Sequence, residues 1–535
     1  MRLLKLADRV VSILGLLLFG ALTGYSLFFT VYFSTQYEEI PYEMGDLVFA
    51  VLAVCGLGLF CMYRLSCWIL KDSWKGPLSK AKGDSLKPGT ETQQERRIHV
   101  LLFIVLGYTF CFCILWVLGA GCIPVGDQAS VCLAAEGFQT GDFSMLTQDS
   151  YEKYLFIHPH QLGLTALIEL IFALFGNGNF QAFEFLNCLG AVVCVYAGYR
   201  ITRLLTEDKR AWVYYLFLAA GCFPLFFYVT FVYGEIPALT YSLLAIWFFM
   251  EYQRRSKPLW LAGCCAALSL ACLIRNNSMI LLIALVCVLA VTAIGKRQWR
   301  TLGTGVLLVA ALAASRFGLQ SFYEARSGVK INDGAPMILY VAMGMQKGEG
   351  APGWSNGYIL HAYWGASEFD GELATAMAVN DIRTSLSGFR SDPLYAAEFY
   401  REKFTSQWND PTYECFAMTH INGWARCGVV NSMYVGKLHA LMTWFMNQYQ
   451  SLIFIGVFLW LIFHFWKKKE LDQYVLLITI FGGFLFHMVW EAKGRYILPY
   501  FVMMLPMAAV GLSELCMRLR ELLTRRMEME GVSQE

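Results

Sequence analysis

QLGLTALIELIFALFG, residues 161–176, is the stretch that sets the topology. It is apolar, yet it falls short of the roughly 20 residues that a membrane crossing needs, and it carries Glu169. If it crosses, the next apolar run, about 178–203, must travel outward. Arg200, Arg203, Lys209 and Arg210 would then lie outside, against the rule that short cytoplasmic loops collect the cations. If it lies along the interface as an amphipathic helix, every later basic cluster but one falls inside. The interfacial reading is therefore the expectation.

Outward from this stretch the chain is lipid-soluble. It has 535 residues, 57% hydrophobic and only 15% charged, against about 25% charged in a soluble domain. Twelve spans are expected, near 10–34, 45–70, 98–120, 178–203, 211–231, 236–252, 257–274, 277–295, 301–318, 442–466, 472–490 and 496–517. The first lacks a small-residue cleavage site and reads as an uncleaved span. Both termini then lie in the cytoplasm. The expected fold is an all-α polytopic membrane protein with interfacial helices in its first large outer loop and a mixed outer segment. Its parts are a two-span region and basic linker, 1–97; a transmembrane core, 98–318, with an outer loop at 121–177; an extracytoplasmic segment, 319–441; and a three-span region with a tail, 442–535. An acidic loop (Glu38, Glu39, Glu43, Asp46) follows the first span, and the linker Lys71 to Arg97 follows the second.

The net charge of +2 and the absence of a basic arm or recognition motif argue against nucleic acid as a partner. No GxxxxGKS loop is present, so ATP-driven transport is not expected. Most of the 17 cysteines lie in apolar runs, and no paired CxxC suggests zinc. Cys122–Cys132 and Cys415–Cys427 would lie outside, where disulfides are permitted. Nothing in the spacing favours either bond.

Ionisable residues at membrane level are costly and face a wet interior. Here they gather at the outer ends of spans. Asp127 follows Pro124-Val125-Gly126. It reads as a general base or as a helix-start carboxylate. Glu235, in Tyr233-Gly234-Glu235, is either a second functional carboxylate or one favoured by a helix dipole. Glu136, Asp142 and Asp149 read as ordinary loop charges. Tyr154 and His158-Pro159-His160-Gln161 form a polar edge suited to a pocket wall, and two histidines without an acidic cluster make a poor metal site. Arg275-Asn276-Asn277 puts a cation on the outer side, against the inside rule. Arg275 and Arg495 could grip a phosphate with two-pronged geometry. Alternatively Arg495 pairs with Glu491 one helical turn away. Lys493 and Tyr496 share that turn.

The acidic first outer loop, the entry His158-Pro159-His160-Gln161-Leu162-Gly163 and the short helix ending Leu174-Phe175-Gly176 resemble the GT-C superfamily of membrane glycosyltransferases. The nearest likeness is to the bacterial branch related to protein O-mannosyltransferases and the lipid A aminoarabinose transferase. Tyr233-Gly234-Glu235 and Trp490-Glu491-Ala492-Lys493-Gly494-Arg495-Tyr496 are similar to that branch too. The resemblance covers roughly 98–300 and the last spans, and does not extend to residues 320–441. It implies an inverting transferase that takes a sugar from a polyprenyl-phosphate carrier and passes it to a glycan, lipid or protein acceptor on the extracytoplasmic face. It implies Asp127 as the early acidic residue and Glu235 as the second acidic position, although several relatives carry Asp there. Tyr154, His158, Gln161, Tyr233, Arg275, Asn276, Glu491, Arg495 and Tyr496 would bind substrate. No cofactor is required by this reading, and a divalent cation is left open. The rival classes are a flippase or transporter of lipid-linked sugars, and an O-antigen-type polymerase or ligase.

Overall fold

The computed structural model describes residues 2–33, 41–71, 92–420, 425–467 and 473–532, and they are almost wholly helical. The protein is an all-α polytopic membrane protein. A helix lies at each of the twelve expected spans. Eight are long and apolar enough to cross a bilayer, from Leu6–Phe28 to Leu498–Arg526. The fifth span is broken into Lys209–Ala220 and Phe223–Thr230, bent by 47°. The break falls at Gly221-Cys222, just before Pro224, which has no amide to continue the ladder. Glu235–Arg255, Pro258–Ile274 and Tyr474–Val489 supply the remaining three. Large apolar side chains such as Phe49 (90% exposed), Leu259 (79%) and Phe103 (71%) point outward from this bundle, as lipid-facing residues must.

The deciding stretch forms the helix Leu162–Phe175. At 1.5 Å per residue it is about 21 Å long, short of a core about 30 Å thick. Its partners show how it lies. Glu169 is bound by Tyr323 and Arg326, at the last turns of Arg300–Ser327, and Gln139 Nε2 donates to the Glu169 carbonyl at 3.0 Å. Gly163 touches the end of Pro258–Ile274 so closely that a Cβ there would stand 2.1 Å from the Leu273 carbonyl oxygen. Two span ends thus hold one short helix at its start and its middle. Leu170, Leu174 and Phe175 remain exposed along one face.

Several expectations need correction. The first span stops at Phe28. Residues Phe29–Phe33 form a strand that pairs antiparallel with Pro41–Gly45, Val31 opposite Glu43. The run Phe29-Thr30-Val31-Tyr32-Phe33 is β-branched and aromatic, which suits an extended ribbon better than another helical turn. Of the acidic loop, Glu43 pairs with Arg401 at 2.8 Å, and Asp46 accepts from Thr30 and from Asn447 (3.2 Å). Glu38, Glu39, residues 72–91 of the linker, and Lys468 to Glu470 lie outside the described residues. The ninth span continues to Ser327. The outer segment, expected to be mixed, is helical among its described residues, including Gly371–Ser391 and Pro393–Trp408, capped by the side chains of Asp370 and Asp392. The cysteines are free thiols. Cys122 Sγ contacts the Thr419 carbonyl at 2.8 Å, and Cys415 is buried away from exposed Cys427.

A charged cavity at the ends of the spans

The helix Gln93–Ala120 ends at Gly121, and the chain turns through Gly126 at φ +54°, a left-handed conformation open to glycine. Asp127 opens the next helix, Asp127–Thr140, without a side-chain capping bond, and its side chain is 49% exposed. It faces a cavity of about 320 Å³. Every residue expected at the site except Glu235 lines this cavity: Asp127, Tyr154, His158, Gln161, Tyr233, Arg275, Asn276, Glu491, Arg495 and Tyr496. They come from five separate places in the chain.

Four of the charges form a chain. Arg495 Nη2 lies 3.8 Å from Asp127 Oδ2, and its Nε lies 4.0 Å from Glu235 Oε1. Arg275 Nη1 lies 2.9 Å from the same Glu235 oxygen. Glu235 is 1% exposed and lines a smaller cavity of about 30 Å³ that shares Arg275 and Tyr496 with the first. It lies between two guanidiniums, 2.9 Å from one and 4.0 Å from the other, and does not line the larger cavity. The one-turn ion pair between Glu491 and Arg495 does not form. Glu491 Oε2 instead accepts from the Tyr496 hydroxyl at 3.0 Å. Burial raises the Glu491 carboxyl, while Lys493 and Arg495 pull it down.

Aromatic rings fix the arginines. Arg275 sits over Tyr233 and Tyr496, at 5.5 and 5.2 Å, and Arg495 sits over Phe231, Tyr233 and Tyr496. Tyr154 and Tyr233 share a hydroxyl contact of 2.9 Å. Burial holds both phenols well above their ordinary range, so they are neutral donors. His158 Nδ1 contacts the Tyr340 hydroxyl at 3.1 Å, and Tyr340 stacks on Trp490 with planes 3° apart. Burial, then the charges of His158, Arg275 and Arg316, push His160 down to about 3. No group of three or more metal-ligating side chains occurs among the described residues.

The turn that carries Glu491 and Arg495 is held from the outer segment. Trp490 O accepts from Lys403 Nζ at 2.8 Å, Ala492 N–H donates to Gly353 O at 2.8 Å, and Gly494 N–H donates to Glu414 Oε1 at 2.6 Å. Tyr413 and Glu414 are consecutive non-glycine residues at positive φ, 49° and 61°. Such strain persists only where the surroundings enforce it. Asp410 enforces it here, accepting from Thr412 N–H, Thr412 Oγ1 and Glu414 N–H at 2.7–2.9 Å, and burial pushes the Asp410 carboxyl up to about 6.

Sequence reasoning missed Tyr340, Lys403, Glu414 and Arg316. Arg316 Nη2 donates to Asn276 Oδ1 at 2.6 Å. Only Arg316 left a legible signal, a lone cation in the apolar run ALAASRFGL, 311–319.

Residues 158–317 match the family described as Dolichyl-phosphate-mannose-protein mannosyltransferase. The match bears out, over that segment, the resemblance to the GT-C membrane glycosyltransferases. No curated protein matches the chain. Two solved structures are similar at low identity. One is ArnT from Cupriavidus metallidurans bound to undecaprenyl phosphate (14% identity, 77% of each chain covered, TM-score 0.32). The other is the same protein in its apo state (15%, 78% of each chain, TM-score 0.33).

Proposed function

We propose that the protein transfers a sugar from a polyprenyl-phosphate-linked donor to an acceptor hydroxyl or amine at the extracytoplasmic face, with inversion at the sugar carbon. One observation carries this reading. The half-exposed Asp127 carboxylate and the Arg495 guanidinium meet in one cavity, 3.8 Å apart. The first suits a base, and the second suits the phosphate that leaves.

The acceptor O–H or N–H gives its proton to Asp127 as its heavy atom bonds to the anomeric carbon. The bond from that carbon to the phosphate oxygen breaks on the opposite face, which inverts the centre, and its electron pair stays on the phosphate. Arg495 and Arg275, fixed over tyrosine rings, face the growing negative charge before the reaction begins. Glu235 holds both guanidiniums in place. The sidedness rests on the distribution of basic loops. The same charges weigh against a flippase. They lie at span ends around a pocket, whereas a flippase would need them strung along a path through the bundle.

The test is transfer by purified protein in liposomes, from a labelled polyprenyl-phosphate sugar. Asp127→Asn should insert and accumulate normally and lose about 10²–10⁴-fold in rate, the range for a general base. Full activity in that variant overturns the assignment.

A further inference from the structure

The carboxylates and cations around the cavity balance. Glu235 meets Arg275, Asp127 meets Arg495, and Glu491 is faced by Lys493 and Arg495. Arg316 is outside this balance. It lies within the membrane-spanning helix Arg300–Ser327. Its Nη2 donates to Asn276 Oδ1 at 2.6 Å and contacts Met279 Sδ at 3.3 Å. Both partners are neutral, and no carboxylate among the described residues pairs with it. The next residue, Phe317, is 75% exposed on the lipid side. A cation at membrane level without a carboxylate is expensive and is expected to have a charged visitor.

Its position says where that visitor comes from. Asn276 and His160 line the cavity, and Arg316, which is hydrogen-bonded to Asn276, does not. Arg316 therefore stands just outside the cavity wall, next to the bilayer. A lipid-borne phosphate cannot cheaply reach the cavity through water. Lifting its chain out of the membrane costs about 0.8 kcal/mol per CH₂. It has to enter sideways, at head-group depth.

We infer that Arg316 is a further phosphate-binding residue, at a lateral entrance between Arg300–Ser327 and the turn Asn276–Ser278, where the phosphate of a polyprenyl carrier first meets protein. Asn276 is the step between this entrance and the cavity. The single negative charge of a phosphodiester completes the balance that Arg316 leaves open. The inference rests on the lipid-phosphate reading of the donor.

The test needs no knowledge of the sugar. Binding of a long-chain polyprenyl phosphate to full-length protein in neutral nanodiscs is measured for wild type and variants. Arg316→Gln should weaken binding about tenfold, the loss of one charge-assisted contact. Arg316→Lys should stay within about threefold of wild type, since the charge remains. Asn276→Asp leaves Arg316 in place and gives it a carboxylate, so it should weaken binding as Arg316→Gln does. It carries the test if Arg316→Gln fails to accumulate. Unchanged affinity in Arg316→Gln, or in Asn276→Asp, overturns the entrance while leaving the donor reading intact. Wild type that binds no polyprenyl phosphate overturns the donor reading itself. Equal competition by phosphatidylglycerol or by inorganic phosphate overturns the assignment to the carrier.

Discussion

The Glu414 carboxylate accepts the Gly494 N–H at 2.6 Å, tying together residues eighty positions apart. Gly494 precedes Arg495, so a buried and strained turn fixes where the guanidinium points. Glu414→Ala leaves a buried N–H without its acceptor, worth about 1–3 kcal/mol, and releases the turn. The expected result is a KM for the donor raised about tenfold, with normal accumulation. Glu414→Gln keeps an acceptor oxygen and should restore most of the wild-type KM. If Ala and Gln behave alike, Glu414 only supports the fold.

Glu235→Gln removes the anion between Arg275 and Arg495. Breaking a buried pair by removing one partner costs about 3–5 kcal/mol. The variant should lose transfer by about 10²-fold or more, and its melting temperature should fall. Full transfer at full thermal stability would show that Glu235 does not set the arginines.

Lys403 is fully buried and donates to the Gly344 and Trp490 carbonyls. Burial pushes its pKa down to about 7, whereas the unfolded value is about 10.4. Between these two values the unfolded chain holds a proton that the folded chain has released. Stability therefore climbs as pH rises from about 7 toward 10, and is flat from this group below 7. Thermal melts across that window should show the climb, and Lys403→Met should remove it. A slope unchanged in the variant would exclude Lys403 as its source.

Gly163→Ala places a methyl where the Leu273 carbonyl oxygen would lie 2.1 Å away. Neither partner is the end of a flexible side chain, so the helix Leu162–Phe175 must shift off Pro258–Ile274. Overpacking of this kind costs roughly 1–3 kcal/mol. Because Arg275 follows directly, the donor KM should rise along with the loss of thermal stability. A variant that melts and turns over as wild type would show that this contact is slack.

The cavity was largely legible in the sequence because charge is costly in lipid. Asp127, Arg275, Glu491 and Arg495 stand out at the ends of apolar runs whatever their partners are. Their pairing was not legible. The one-turn spacing of Glu491 and Arg495 suggested an ion pair, but the extended Lys493 and the turn at Gly494 send the two side chains apart. Nor was it legible that two arginines converge on Glu235, because nothing local reveals it. Glu414, Lys403 and Tyr340 come from a segment with no membrane period, and their roles depend on contacts between residues 59 to 182 positions apart. The strand Phe29–Phe33 was hidden because its apolar residues extend the first span without a break.

The ionic chain from Asp127 through Arg495 to Glu235 and Arg275 also orders events in biosynthesis. At typical synthesis rates, Arg495 emerges roughly 10–45 s after Arg275. During that interval Glu235 can already meet Arg275, but Asp127 still lacks its guanidinium. The nascent protein can bury most of its helices while the contact between Asp127 and Arg495 is still missing. A chain stalled before its last span, and so before Arg495, would lack the Asp127–Arg495 link of this ionic chain.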